Sequence, residues 1–265
     1  MEQDNFKKEY KAKVINKTML NSDTCLLTLS CSEIARVAKP GQFVNISCSY
    51  FLKRPFGIAS ADSKAGTIKI GVKIVGKGTN EIVAFEEGKE IDILGPLGNG
   101  FDLDSIKKEN KKVILVAGGT GVFPINFTHE YCEENGIENI VVQGFRNKEQ
   151  LVLSSDEYIV CTDNGEVGIH GNCCNGLDSI NEEFLKDAVL MCVGPLPMMN
   201  ACGKWATEHG LKCFVSMEQR MACGIGICLV CVCKLKAEAN GEEFKHVRCC
   251  KDGPVFPYEE VIFND

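Results

Sequence analysis

Cys223, Cys228 and Cys231 follow a C-x4-C-x2-C spacing, and two adjacent cysteines, Cys249 and Cys250, come further on. Three thiolates from one short loop with a fourth downstream is the spacing that holds a [2Fe–2S] cluster. Such a loop must curl tightly around an inorganic core. Gly224 and Gly226 lie between the first two cysteines, where a side chain would obstruct the curl and positive φ is wanted. Backbone N–H groups in such a loop can point at the sulfurs and tune the potential. The residue types leave the fourth ligand open between Cys249 and Cys250. The run from Leu229 to Leu235 reads as a strand, with Cys233 on the same face as Cys231. A zinc site on Cys228, Cys231, Cys249 and Cys250 is the weaker alternative. Adjacent cysteines make a poor second zinc knuckle, and Cys223 would be left over. A [2Fe–2S] centre passes one electron at a time, so the spacing points to an electron carrier.

The rest of the chain must position that loop. Its 265 residues are 45% hydrophobic and 25% charged, which is room for two globular domains and a small appendix. The formal net charge is −7 and no basic stripe is present, which argues against nucleic acid as a partner. No apolar run is long enough to span a membrane, and the first residues lack the apolar core of a signal peptide, so a cytoplasmic protein is expected. The 16 cysteines then read as reduced thiols, with Cys25, Cys48, Cys161 and Cys213 as small core residues.

From residue 9 to residue 101 the sequence alternates apolar and polar in short runs separated by turn signals, the pattern of a small antiparallel barrel. Two places in it look chemical. Arg54, Pro55, Phe56 and Gly57 set a phosphate-binding guanidinium two residues before an aromatic ring. Gly76, Lys77, Gly78 and Thr79 end a strand and open a helix, where free N–H groups favour a phosphate. The plainer alternative there is a glycine turn with Thr79 as N-cap. Together, ahead of a cluster loop, they favour a flavin nucleotide.

After Asp104 the pattern changes. Residues 111–117 read as a buried parallel strand running into Gly118, Gly119, Thr120 and Gly121, then a helix over residues 124–135 closed by Gly136. Strand, glycine turn and helix is how a dinucleotide pyrophosphate is received. Gly119 and Gly121 fit the glycine fingerprint, but Pro124 takes the third glycine's place. No acidic residue ends the second strand; Arg146 and Asn147 stand there, and Arg146 could tolerate a 2′-phosphate. Gly194 and Pro195 form a second turn after a strand and are candidates to approach a nicotinamide. The alternation of strands and helices predicts a doubly wound parallel sheet.

The order of these pieces resembles the ferredoxin-reductase superfamily. Within it the chain is similar to the electron-transfer subunits of NAD-dependent (class 1B) dihydroorotate dehydrogenase. The resemblance covers essentially the whole chain, and the segment from Glu218 through Cys233 is its specific part. It implies an antiparallel β-barrel FAD domain over residues 1–103, a doubly wound parallel α/β NAD domain over 104–215 and a small C-terminal [2Fe–2S] domain over 216–265. It implies FAD held at Arg54, Pro55, Phe56 and Gly57, at Gly71, Val72 and Lys73, and at Gly78 with Thr79. It implies NAD as the nicotinamide and a cluster on Cys223, Cys228, Cys231 and Cys250, deciding the fourth ligand. It further implies a partner, the FMN-containing catalytic subunit of dihydroorotate dehydrogenase, in a heterotetramer of two of each. Electrons would pass from that FMN through [2Fe–2S] and FAD to NAD+ in pyrimidine biosynthesis. No residue here reads as a catalytic base for orotate chemistry. Two departures from the family wording stand out: Gly57 replaces a serine, and Val193 replaces a cysteine, with Cys192 one place off. A sulfide dehydrogenase or ferredoxin–NADP reductase subunit shares the modules, and a zinc or redox-sensing binding protein is the alternative of another class.

Overall fold

The computed structural model describes residues 8–237 and 243–263, so the polar N-terminal residues 1–7 lie outside the described part. Six strands come first: β1 (Lys8–Met19), β2 (Thr24–Ser30), β3 (Phe43–Ile46), β4 (Arg54–Asp62), β5 (Thr67–Lys73) and β6 (Glu90–Leu97). They close into an antiparallel barrel in the order β1-β2-β5-β4-β3-β6. Two-residue periodicity explains the closure. Leu27 and Leu29 on β2, and Ile68, Ile70 and Val72 on β5, are fully buried inside, while intervening residues face outward. Closure also removes the unpaired sheet edges. Helices α1 (Ser32–Ala35) and α2 (Lys77–Val83) pack on the barrel core through Ile34, Ala35 and Ile82.

A short helix, α3 (Leu103–Lys108), links the barrel to the second domain. Asp102 caps it by accepting from the Ser105 N–H at 3.1 Å and the Ser105 hydroxyl at 2.7 Å. The next elements are β7 (Lys112–Gly118), α4 (Val122–Asn135), β8 (Asn139–Phe145), β9 (Ile159–Thr162), β10 (Ile169–His170), α5 (Cys173–Leu177), α6 (Glu182–Leu185), β11 (Ala188–Val193), α7 (Leu196–Glu208) and β12 (Lys212–Ser216). Gly136 ends α4 in the left-handed region at φ 67°, the role the sequence assigned to it. The sheet runs β10-β9-β8-β7-β11-β12 in parallel. It is covered on both faces. Val113, Leu115 and Ala117 face α4, and Ile114 and Val116 face α5 and α7, which is why β7 is apolar without alternation.

The C-terminal segment supplies a hairpin, β13 (Val232–Lys236) with β14 (Phe244–Arg248), and then β15 (Val255–Pro257). β15 pairs antiparallel with β12 as the seventh strand of the sheet. The sequence boundary at 216 therefore falls on the last residue of β12, and the segment after it is tied back into the same sheet. Two expectations are corrected. The strand read from Leu229 begins at Val232; Leu229 has φ 58° and belongs to the loop. Cys48 is half-buried in the turn after β3, its thiol donating to the Leu52 carbonyl at 3.7 Å, whereas Cys25, Cys161 and Cys213 are buried. Among the described residues no cysteine is in a disulfide. Burial pushes Cys25 and Cys161 up to about 11, and Cys132 up to about 12.

Candidate functional site

One cleft, about 390 Å³, lies where barrel, sheet and C-terminal segment meet. That size suits the flat part of a cofactor. The barrel contributes Arg54, Pro55, Phe56, Gly57, Gly71, Lys73 and Thr79 to its wall. The turn before α4 gives Thr120, the start of α4 gives Phe123 and Pro124, and the C-terminal side gives Met217, Glu218, Met221 and Cys249. The lining combines apolar rings and thioethers with polar groups from the barrel, the turn before α4 and the C-terminal segment, a surface on which an isoalloxazine fits. Val72 departs from its expected place: its side chain is buried inside the barrel, and of this stretch Gly71 and Lys73 line the cleft.

Arg54 begins β4, with its guanidinium 5.9 Å from the Tyr50 ring centroid and donating to the Leu52 carbonyl. A Cβ on Gly78 would lie 2.5 Å from the Arg54 Nε, so glycine there lets the guanidinium lie against the start of α2. Thr79 is at the third helical position, not the N-cap. Its hydroxyl oxygen accepts from the Val75 N–H at 2.9 Å and the Gly76 N–H at 3.1 Å. Those two donors are thus satisfied internally, and the positive groups on the barrel wall of the cleft are Arg54 and Lys73.

Gly57 and Gly71 have a second task that the sequence did not disclose. A Cβ on Gly71 would lie 2.1 Å from the Phe123 ring, and one on Gly57 would lie 3.2 Å from Pro124. Both glycines let the first turn of α4 seat on the barrel. That accounts for two irregularities together: Pro124 stands where the fingerprint has a third glycine because it packs against the barrel, and a serine at 57 would press on it.

In the sheet, the order of the strands reverses between β7 and β11, parallel neighbours joined in register at Ala117 and Val193. Such a switch point, at the carboxyl ends of the strands, is where doubly wound sheets receive ligands. Gly118, Gly119, Thr120 and Gly121 follow β7, and Gly194 and Pro195 follow β11. A Cβ on Gly121 would meet the Val193 carbonyl oxygen at 2.1 Å, and one on Gly118 would meet the Met198 sulfur at 2.3 Å. Gly119 differs: its φ is +54° and a Cβ would meet nothing within 4 Å, so this glycine faces open space. Pro195 caps α7. Val193 lines the cleft, while Cys192 is buried on the opposite face of the sheet, so the thiol does not reach the cleft. At the end of β8, Arg146 is exposed and the Asn147 side-chain oxygen is buried without a partner among the described residues.

The cysteine loop has the curl its glycines suggested. Gly224, Gly226 and Leu229 have φ of 70°, 84° and 58°. The Cys228 N–H donates to the Cys223 sulfur at 3.4 Å. Burial pushes the Cys223 thiol up, but the N–H groups of Ile225, Cys228 and Ile227, with the Cys228 thiol, outweigh it and bring it down to about 6. These donors favour the thiolate, the form that binds iron. Cys231 and Cys250 are buried and Cys228 is exposed. Cys249 is otherwise engaged. Its thiol donates to the Cys233 sulfur at 3.8 Å, which holds it protonated, and burial adds to this. Among the described residues no three His, Cys, Asp or Glu side chains converge as a single metal ion requires. A dinuclear cluster takes two thiolates on each iron and does not ask three to meet at one point.

Arg248 and Asp252 were missed in the sequence. Arg248 forms a two-pronged ion pair with Asp252, Nε to Oδ2 at 2.8 Å and Nη2 to Oδ1 at 3.0 Å. Its Nη1 also donates to the Gly226 carbonyl at 3.0 Å. The pair thereby fastens the loop bearing Cys223 and Cys228 to the turn bearing Cys250. The guanidinium beside Asp252 holds that carboxyl below the usual aspartate range. The available signal was an arginine and an aspartate four apart around the downstream cysteines, which reads equally as a surface pair.

Two family models match parts of the chain. Residues 11–101 match the oxidoreductase FAD-binding domain. Residues 218–262 match the iron–sulfur cluster binding domain of dihydroorotate dehydrogenase B. The dihydroorotate dehydrogenase B (NAD(+)) electron transfer subunit of Shouchella clausii (strain KSM-K16) is 33% identical over 265 residues, covering 97% of this chain and 99% of that protein. The corresponding subunit of Fusobacterium nucleatum subsp. nucleatum is 33% identical over 259 residues, covering 94% of this chain and 96% of that protein. Among solved structures, an NADH-dependent reduced ferredoxin-NADP oxidoreductase studied for flavin-based electron bifurcation superposes with a TM-score of 0.80 at 28% identity, covering 95% of this chain and 89% of that one. The ferredoxin reductase of carbazole 1,9a-dioxygenase shares the fold, with a TM-score of 0.65 at 18% identity over 77% of this chain and 66% of that one.

Proposed function

The chain belongs to the family of dihydroorotate dehydrogenase B electron-transfer subunits, and from that membership we propose its place in the reaction. It passes electrons from the FMN of a dihydroorotate-oxidising catalytic subunit through [2Fe–2S] and FAD to NAD+, serving pyrimidine biosynthesis. The observation that carries this reading is the cleft walled at once by barrel, α4 and the cysteine-bearing segment. When bound, FAD exchanges electron pairs with a nicotinamide and single electrons with an iron–sulfur centre.

The residues divide the work of holding these groups. Arg54 pairs with a flavin phosphate, with Gly78 and Thr79 shaping the turn beside it. Pro55, Phe56, Gly57, Gly71 and Lys73 flank the ring system, and Val72 contributes backbone. Gly118, Gly119, Thr120 and Gly121 receive the NAD pyrophosphate, and Gly194 and Pro195 border the nicotinamide. Cys223, Cys228, Cys231 and Cys250 ligate the cluster. The three segments 1–103, 104–215 and 216–265 act as FAD, NAD and cluster units. The cluster loop faces the partner: Ile227 and Leu229 are 75% and 61% exposed, and Val230 is exposed beside them, an apolar patch of the kind that marks interfaces. The assembly is a heterotetramer of two of each subunit, in the cytoplasm; among the described residues no helix is long and apolar enough to cross a membrane.

The test is coupled turnover. Mixed with an FMN-containing dihydroorotate dehydrogenase catalytic subunit, the protein should reduce NAD+ at the expense of dihydroorotate and prefer NADH to NADPH in flavin reduction. The likeness to the ferredoxin-NADP oxidoreductase favours a second reading, with a ferredoxin-linked partner. Electron exchange with ferredoxin, and none with dihydroorotate, would select it.

A further inference from the structure

Asn45 is a polar side chain in a place that has no evident use for one. Alternation on β3 sends Val44 and Ile46 into the barrel and Phe43 and Asn45 outward against the C-terminal segment. The surroundings there are apolar: Leu94 and Leu97 from β6, and Met221 from the cysteine loop. Asn45 is fully buried, and its side-chain oxygen has no partner among the described residues. Its amide nitrogen has only the Met221 thioether at 3.7 Å, a weak acceptor. A buried amide with these partners destabilises the fold, and a leucine of similar size would not. The amide is also pressed onto the cysteine loop, since a Cβ on Gly224 would lie 2.3 Å from the Asn45 nitrogen. Gly224 directly follows Cys223.

We infer that Asn45 is a positioning residue of the electron-transfer site, its amide N–H donating to the sulfur shell anchored by Cys223. The inference rests on the assignment of a [2Fe–2S] cluster to this loop. The reduced cluster carries one more negative charge than the oxidised one. A donor aimed at its sulfurs therefore favours the reduced form and raises the potential. The barrel, which holds the flavin, thus takes part directly in setting the potential of the neighbouring centre.

The experiment is a redox titration of the anaerobically purified protein, followed by electron paramagnetic resonance, on wild type, Asn45→Leu, Asn45→Val and Asn45→His. Thermal unfolding is recorded alongside. The expected result is a lower cluster potential in N45L and N45V, a potential nearer wild type in N45H, which keeps an N–H donor, and no fall in melting temperature for the better packed of the two apolar variants. A wild-type cluster whose potential both apolar variants leave unmoved overturns the proposal alone, and so does a loss of melting temperature without a shift in potential. A wild type with no reducible cluster removes the assignment of the centre and this inference with it.

Discussion

Cysteines in this chain do two jobs, and the neighbours of each thiol decide which. Cys223 is drawn down by N–H donors of its own loop, whereas Cys25 and Cys132 are pushed up by burial among apolar side chains. Cys228→Ser exchanges an exposed candidate ligand for a poor one. The variant should retain FAD and its reduction by NADH but lose electron transfer to the catalytic subunit, as read by flavin absorbance and coupled turnover. The glycines of the nucleotide loop sort in the same manner. Gly121→Ala drives a Cβ against the Val193 carbonyl, and should cost about 1–3 kcal/mol in urea unfolding besides weakening NADH binding. Gly119→Ala meets no atom and pays only for its left-handed φ, about 1 kcal/mol, so its main effect should be a raised KM for NADH. Spacing alone made the cysteine loop legible, because C-x4-C-x2-C has few other uses. It could not separate Cys249 from Cys250, since the contact that occupies Cys249 comes from Cys233 across the hairpin.

At the scale of elements, the periodicities of the sequence carried most of the fold. All six barrel strands and the helix after β7 were readable, because each buries one face or both against a partner of matching period. The exceptions have local causes. β15 is three residues long and exists because β12 offers it an edge, so nothing in its own pattern reveals it. Leu229 looks like a strand residue, but the loop turns it to positive φ and into solvent. The docking of α4 on the barrel was hidden too, because its two halves, Gly57 with Gly71 and Phe123 with Pro124, are far apart in sequence. Gly71→Ala should loosen that contact and lower stability by about 1–3 kcal/mol, and Phe123→Ala in the same chain should recover part of the loss of fit, a coupling that a double-mutant cycle in urea reads directly. The linker helix α3 offers a pH-dependent check. Hydrogen bonds from the Ser105 hydroxyl and N–H hold the Asp102 carboxyl below its ordinary value. Its stabilisation is present above the unfolded aspartate range, near about 3.9, and is lost as pH falls through the lower folded value. Asp102→Ala should therefore cost about 1 kcal/mol at neutral pH, and the gap to wild type should shrink below pH of about 4.

For the whole molecule, the arrangement is a short conduit. The barrel and the start of α4 enclose the cleft on one side, the switch point between β7 and β11 opens toward it through Thr120 and Val193, and the C-terminal segment closes it with Met217, Met221 and Cys249. The pairing of β15 with β12 and the Arg248–Asp252 clamp keep the cysteine loop fixed against the other two units. An apolar rim on that loop remains for the partner. No single unit of the three could connect a two-electron carrier to a one-electron partner, and the fold places all three around one space. The claim on which this depends is that the C-terminal thiols hold a [2Fe–2S] cluster beside a bound flavin. Elemental analysis with a visible spectrum of the anaerobically purified protein tests it most directly: the expected content is about two iron, about two acid-labile sulfide and about one FAD per chain, and zinc in place of iron, or no metal with no flavin absorbance, would contradict it.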